Sequence, residues 1–106
     1  MTNPAPHPPY DDALMLNLAL ALALEWGPEW LNPIHDRLRK EHPAMTPEAA
    51  DIWDRRCREI MRFAFRLCQT PGEPADLQEK IARRYPLLDE GNLARLVSQG
   101  IYYARK

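Results

Sequence analysis

The chain has 106 residues, enough for one domain with its own core and too few for two. Its 14 lysines and arginines against 15 aspartates and glutamates leave a formal net charge of -1, so no global imbalance marks a nucleic-acid or membrane partner. The charge is unevenly placed: residues 1–32 carry Asp11, Asp12, Glu25 and Glu29 and no lysine or arginine, so an anionic partner would meet the chain beyond Arg37.

Residues 1–10, MTNPAPHPPY, hold four prolines and no apolar periodicity, and are read as a disordered tail ahead of a single helical domain over residues 11–106. From Leu14 to Leu24 leucine stands at every even position and alanine at most odd ones. Both are strong helix formers and weak strand residues, which predicts a helix over 11–26. At about 100° per residue, Leu14, Leu18 and Leu22 fall on one side and Leu16, Leu20 and Leu24 nearly opposite. A helix apolar on all sides has to be covered on all sides. The segment is therefore expected to be the central post of the domain, or to have one face closed by a second chain. Asp11 and Asp12 precede it where a secretory signal needs positive charge, and it is shorter than the roughly 20 residues of a membrane span, so neither is expected.

Gly27 and Pro28 stop this helix. Trp26 and Trp30 stand around that corner; tryptophan is a preferred interface anchor as well as a large core body, and the pair are candidate partner-binding residues. Asn32 ahead of Pro33, and Thr46 ahead of Pro47, place capping side chains before a proline at the first helical position, which predicts helices over 33–42 and 47–69. His35 and His42 lie a heptad apart, about 10 Å along the axis, too far to chelate one metal together.

In the helix over 47–69, Ala50, Trp53, Cys57, Ile60, Ala64 and Leu67 follow an alternating three-four spacing, widened by Met61, Phe65 and Cys68 into a core stripe. Across from it stand Arg55, Arg58, Arg62 and Arg66, the second set of candidate partner-binding residues. Such a ridge can grip phosphates or an acidic partner. Four acidic residues on the same helix favour a solvated face laced by Asp51–Arg55, Asp54–Arg58 and Glu59–Arg62 pairs, each worth about 0.2–0.5 kcal/mol. Cys57 and Cys68 are about 16 Å apart along one helix and cannot form a disulfide with each other. With no disulfide framework, a reducing cytoplasm is the expected compartment.

Prolines at 71 and 86 bound a further helix over 74–85, and the last runs over 89–104. Shifting the sequence by 43 residues superposes Ile34, Leu38, His42, Pro43, Thr46, Ala50 and Trp53 on Leu77, Ile81, Tyr85, Pro86, Asp89, Leu93 and Leu96. The match suggests a duplicated helical hairpin, although recurring cap chemistry can produce it too. Within LQEKIARRYPLLDEGNLARLVSQG, Gln78, Ile81, Ala82 and Tyr85, followed by Leu93, Arg95, Leu96 and Gly100, the pattern resembles the helix-turn-helix of repressor-type DNA-binding proteins. That resemblance implies a second helix whose N-terminal residues meet base edges in the major groove. Pro86, a turn one residue longer, and Asp89 with Glu90 depart from the family pattern.

No phosphate-cradling glycine loop, nucleophile elbow or two-histidine metal helix occurs. The carboxylate neighbours Asp11–Asp12 and Asp89–Glu90 fall at helix starts, where the dipole favours them. An enzyme would need a deep pocket holding two or more of His35, His42, Glu25, Asp36 and Cys57. The expectation is thus an all-α bundle of about five helices around a central apolar N-terminal helix. Its expected role is a non-enzymatic, cytoplasmic protein-interaction or regulatory module, acting as a homodimer or on another protein, with no cofactor or metal. The alternative is a helix-turn-helix-like DNA-binding regulator using residues 77–100.

Overall fold

The computed structural model describes residues 12–25 and 33–105, which form five helices: α1 (Asp12–Leu24), α2 (Ile34–Glu41), α3 (Pro47–Leu67), α4 (Pro74–Arg84) and α5 (Glu90–Ala104). No strand occurs among the described residues, so the fold is an all-α bundle. Residues 1–10 and the tryptophan corner around Gly27 lie outside the described residues.

The helix starts show why the chain breaks where it does. Thr46 holds extended backbone angles and its hydroxyl accepts the Ala49 N–H at 3.1 Å, with Pro47 occupying the first helical position. Asp89 does the same at α5, accepting the Asn92 N–H at 2.8 Å. At α2 the first helical residue is Ile34, one later than expected, and Pro33 itself is the N-cap.

The 43-residue offset holds in three dimensions. α2 ends at Glu41 and α4 at Arg84; α3 begins at Pro47 and α5 at Glu90. The residues that close α2 and α4 take nearly the same conformation, φ -130° and ψ 77° at His42 and φ -130° and ψ 78° at Tyr85. Both amides bond back four residues, to Leu38 and Ile81, and both carbonyls accept three residues on, from Met45 and Leu88. Buried positions also coincide: Ile34 with Leu77, Leu38 with Ile81, Ala50 with Leu93, Trp53 with Leu96. The two hairpins are one structural unit used twice, with α3 packed on α2 and α5 on α4.

One core, fed by all five helices, lies between these hairpins and α1. α3 touches the four other helices and α5 touches α1, α3 and α4. The α3–α5 crossing is close because position 100 is glycine: a Cβ there would lie 2.6 Å from the Cys68 sulfur.

Among the described residues α1, expected to be enclosed by its neighbours or by a second chain, is covered on part of its surface. α1 packs on α2, α3 and α5 and buries Met15, Leu16, Ala19, Leu20, Ala23 and Leu24, but Leu14 stays 50% and Leu18 41% exposed. Among the described residues its helical neighbours are α2, α3 and α5. Polar side chains fix how it lies. Asn17 accepts the Asp89 N–H at 2.8 Å and the Asn92 side-chain N–H at 3.0 Å, and donates to the Leu87 carbonyl at 2.8 Å. α1 has no basic residue in its last turn to answer its terminal carbonyls. Arg37 of α2 donates to the Leu22 carbonyl and Gln99 of α5 to the Leu24 carbonyl, both at 2.6 Å.

Candidate functional site

The exposed side of α1 is the most distinctive surface of the molecule. Between Ala13 and Leu24 the helix carries no charged residue, so its solvent side presents Leu14 and Leu18, one turn apart. Asn17 brings the α4–α5 turn alongside, and Leu87 of that turn is 53% exposed while Leu88 is buried in the core. Further along α1, Leu18, Ala21 and Leu22 floor an open groove of about 340 Å³. Glu25, Glu41, His42 and Arg95 complete its lining. An apolar floor with a rim of both signs is the chemistry of a protein-docking groove rather than of a buried small-molecule site.

Glu25 and His42 thus come together, two of the residues that acid–base chemistry would call on. Among the described residues no hydrogen bond joins them and no third group orients the imidazole, so the nucleophile–base–orienter geometry of a catalytic set is not present there. His35 sits elsewhere, between α2 and α3: its Nδ1 is 3.4 Å from Asp36 and its buried Nε2 3.6 Å from Asp51 with no hydrogen-bond partner. No group of three or more potential metal ligands occurs among the described residues. Burial pushes the Cys57 thiol up to about 12, helped by the nearby Asp54 carboxylate and opposed by Arg37. A thiol held protonated in this way is a packing group, not a nucleophile. Cys57 and Cys68 are both free and buried.

No family model, curated protein or solved structure matches this chain. The site therefore stands on its own geometry.

Of the residues singled out by sequence, Trp26 and Trp30 lie outside the described residues. Arg55, Arg58, Arg62 and Arg66 are all exposed on the outer side of α3. The expected ion-pair lacing is mostly not formed. Arg58 bonds Asp54 at 2.6 Å, whereas Asp51 faces His35 instead of Arg55, and Glu59 does not pair with Arg62. At the helix-turn-helix-like segment, α5 is packed by α1, α3 and α4, and the end that a repressor would offer to bases carries Asp89 and Glu90. Among the described residues no helix is long and apolar enough to cross a membrane.

Sequence reasoning found the Leu14–Leu18–Leu22 stripe but not Leu87, Glu25, Glu41, His42 or Arg95 as its neighbours. Leu87 carried one usable signal, a leucine doublet after proline at the start of a turn, where only one of the two can enter the core. The rim residues come from three separate segments and share no spacing that could announce them.

Proposed function

We propose that the chain is a non-enzymatic protein–protein interaction module of the cytoplasm, and that it docks its partner on the exposed apolar side of α1. The observation that carries this reading is Leu18 at 41% exposure on a helix uncharged from Ala13 to Leu24, continuous with the Leu18–Ala21–Leu22 groove and close to Leu87. Contiguous apolar surface of this kind is uncommon on isolated soluble domains and marks places where another protein is seated. The occupant is a second copy of the chain or a different protein, and the same leucines serve either.

Replacing Leu18 by glutamate tests the proposal. At an exposed site the substitution changes stability by less than about 0.5 kcal/mol. It is expected to abolish self-association in light scattering across a concentration series, or the complex recovered on affinity purification from the native cell. A strictly monomeric wild-type mass assigns the surface to a different protein. Associations that survive unchanged in Leu18→Glu overturn the proposal.

A further inference from the structure

The groove on α1 and the turn beside it carry a feature and its complement on one surface. Asn17 donates to the Leu87 carbonyl at 2.8 Å, so the α4–α5 turn sits against α1 at that level, and the Leu87 side chain there is exposed. One turn further along the same edge of α1, Arg95 of α5 donates to the Ala21 carbonyl at 3.5 Å. Leu18, Ala21 and Leu22 floor the open groove, whose middle lies about 6–8 Å along the helix axis from Asn17. An exposed leucine and an apolar recess with room for a leucine therefore adjoin. The charges at the recess are of both signs and stand open. Glu25, Glu41 and Arg95 all line it and all are exposed, yet among the described residues no cation pairs with either glutamate and no carboxylate pairs with Arg95.

From this juxtaposition we infer that the occupant of the α1 surface is a second copy of the chain, the Leu87 of each copy seated in the groove of the other and the ion pairs between copies drawn from Arg95 on one and Glu25 or Glu41 on the other. The inference rests on the docking surface proposed above and names what covers it. A two-fold interface uses the same patch twice, so that patch has to contain both halves of every contact. This one does: an exposed leucine beside a recess that takes a leucine, and an open guanidinium beside open carboxylates. A different protein would have to bring a recess for Leu87, an apolar group for the groove, an acid for Arg95 and a base for the glutamates. The helix between them favours self-pairing as well. From Ala13 to Leu24 it carries no charge, so two copies of α1 approach without like charges facing each other.

Sedimentation of the intact chain across a concentration series reads the mass. The wild type is expected at twice the mass of one chain, and Leu87→Glu returns it to one. Arg95→Glu alone, and Glu25→Arg/Glu41→Arg alone, each set like charges against each other across the two-fold and raise the dimer dissociation constant about tenfold or more. An equimolar mixture of those two variants recovers the dimer, because each copy then meets the opposite sign in its partner. All the substituted side chains are exposed, and circular dichroism melting checks that each variant is folded. The inference is overturned by a wild type that stays monomeric, by a dimer unmoved by Leu87→Glu or by the charge reversals, or by a mixture no tighter than either variant alone. A monomeric wild type whose complex with another protein is lost in Leu18→Glu overturns this inference alone, whereas a dimer that Leu18→Glu leaves unchanged overturns the docking surface with it.

Discussion

At Gly100 a single hydrogen decides how close two helices lie. A methyl group there would stand 2.6 Å from the Cys68 sulfur and 2.9 Å from its Cβ, inside any allowed contact. Gly100→Ala is expected to lower stability by about 1–3 kcal/mol in urea unfolding, since the buried crossing must open. Cys68→Ala removes the sulfur but keeps the Cβ 2.9 Å away, so it recovers only part of that loss and the double-mutant cycle shows coupling between the two positions. Cys57 gives a pH signature. Its thiol titrates near 12 in the folded chain against 9.0 for the unperturbed group, so the native state keeps the proton that the unfolded state releases. Stability is therefore unaffected by this group below pH 9 and falls through the window up to about 12, at about 1.4 kcal/mol per pH unit at most. Chemical denaturation across that range is expected to show a shallower decline in Cys57→Ala. Neither effect was readable beforehand. Gly100 is one of four isolated glycines, and only the packing of α5 on α3 gives it a task.

Among the elements, the helix starts with a capping side chain were the most legible, because Thr46 and Asp89 cap by local chemistry that needs no tertiary partner. α1 is the contrary case. Its sequence fixes a helix but names no cap for its last carbonyls, which are answered by Arg37 and Gln99 from segments 15 and 75 residues away. Gln99→Leu leaves the buried Leu24 carbonyl without its donor and is expected to cost about 1–3 kcal/mol. Hydrogen exchange checks this at the level of the element: protection falls in the last turn of α1 while the middle of α3 is unchanged. The outer side of α3 was misjudged for a related reason. Pairing Asp51 with Arg55 by spacing alone ignores α2, whose His35 lies 3.6 Å from that carboxylate.

For the molecule as a whole, two hairpins of the same design, α2–α3 and α4–α5, pack on each other and α1 packs on α2, α3 and α5. The pattern of apolar residues, the prolines and the caps indicated by themselves five helices with bounds within two residues of those observed, and suggested that the second hairpin repeats the first. These features are local, set by backbone propensity and by hydrogen bonds reaching three or four residues. Tertiary structure alone decided which side of α1 stays exposed. Both of its leucine rows are equally apolar, and a helix without a polar face cannot say which one its neighbours will cover. The choice was made by Asn17, Arg37 and Gln99, whose hydrogen bonds to distant backbone and side-chain groups orient the helix, and it leaves Leu14 and Leu18 as the surface on which the proposed function rests.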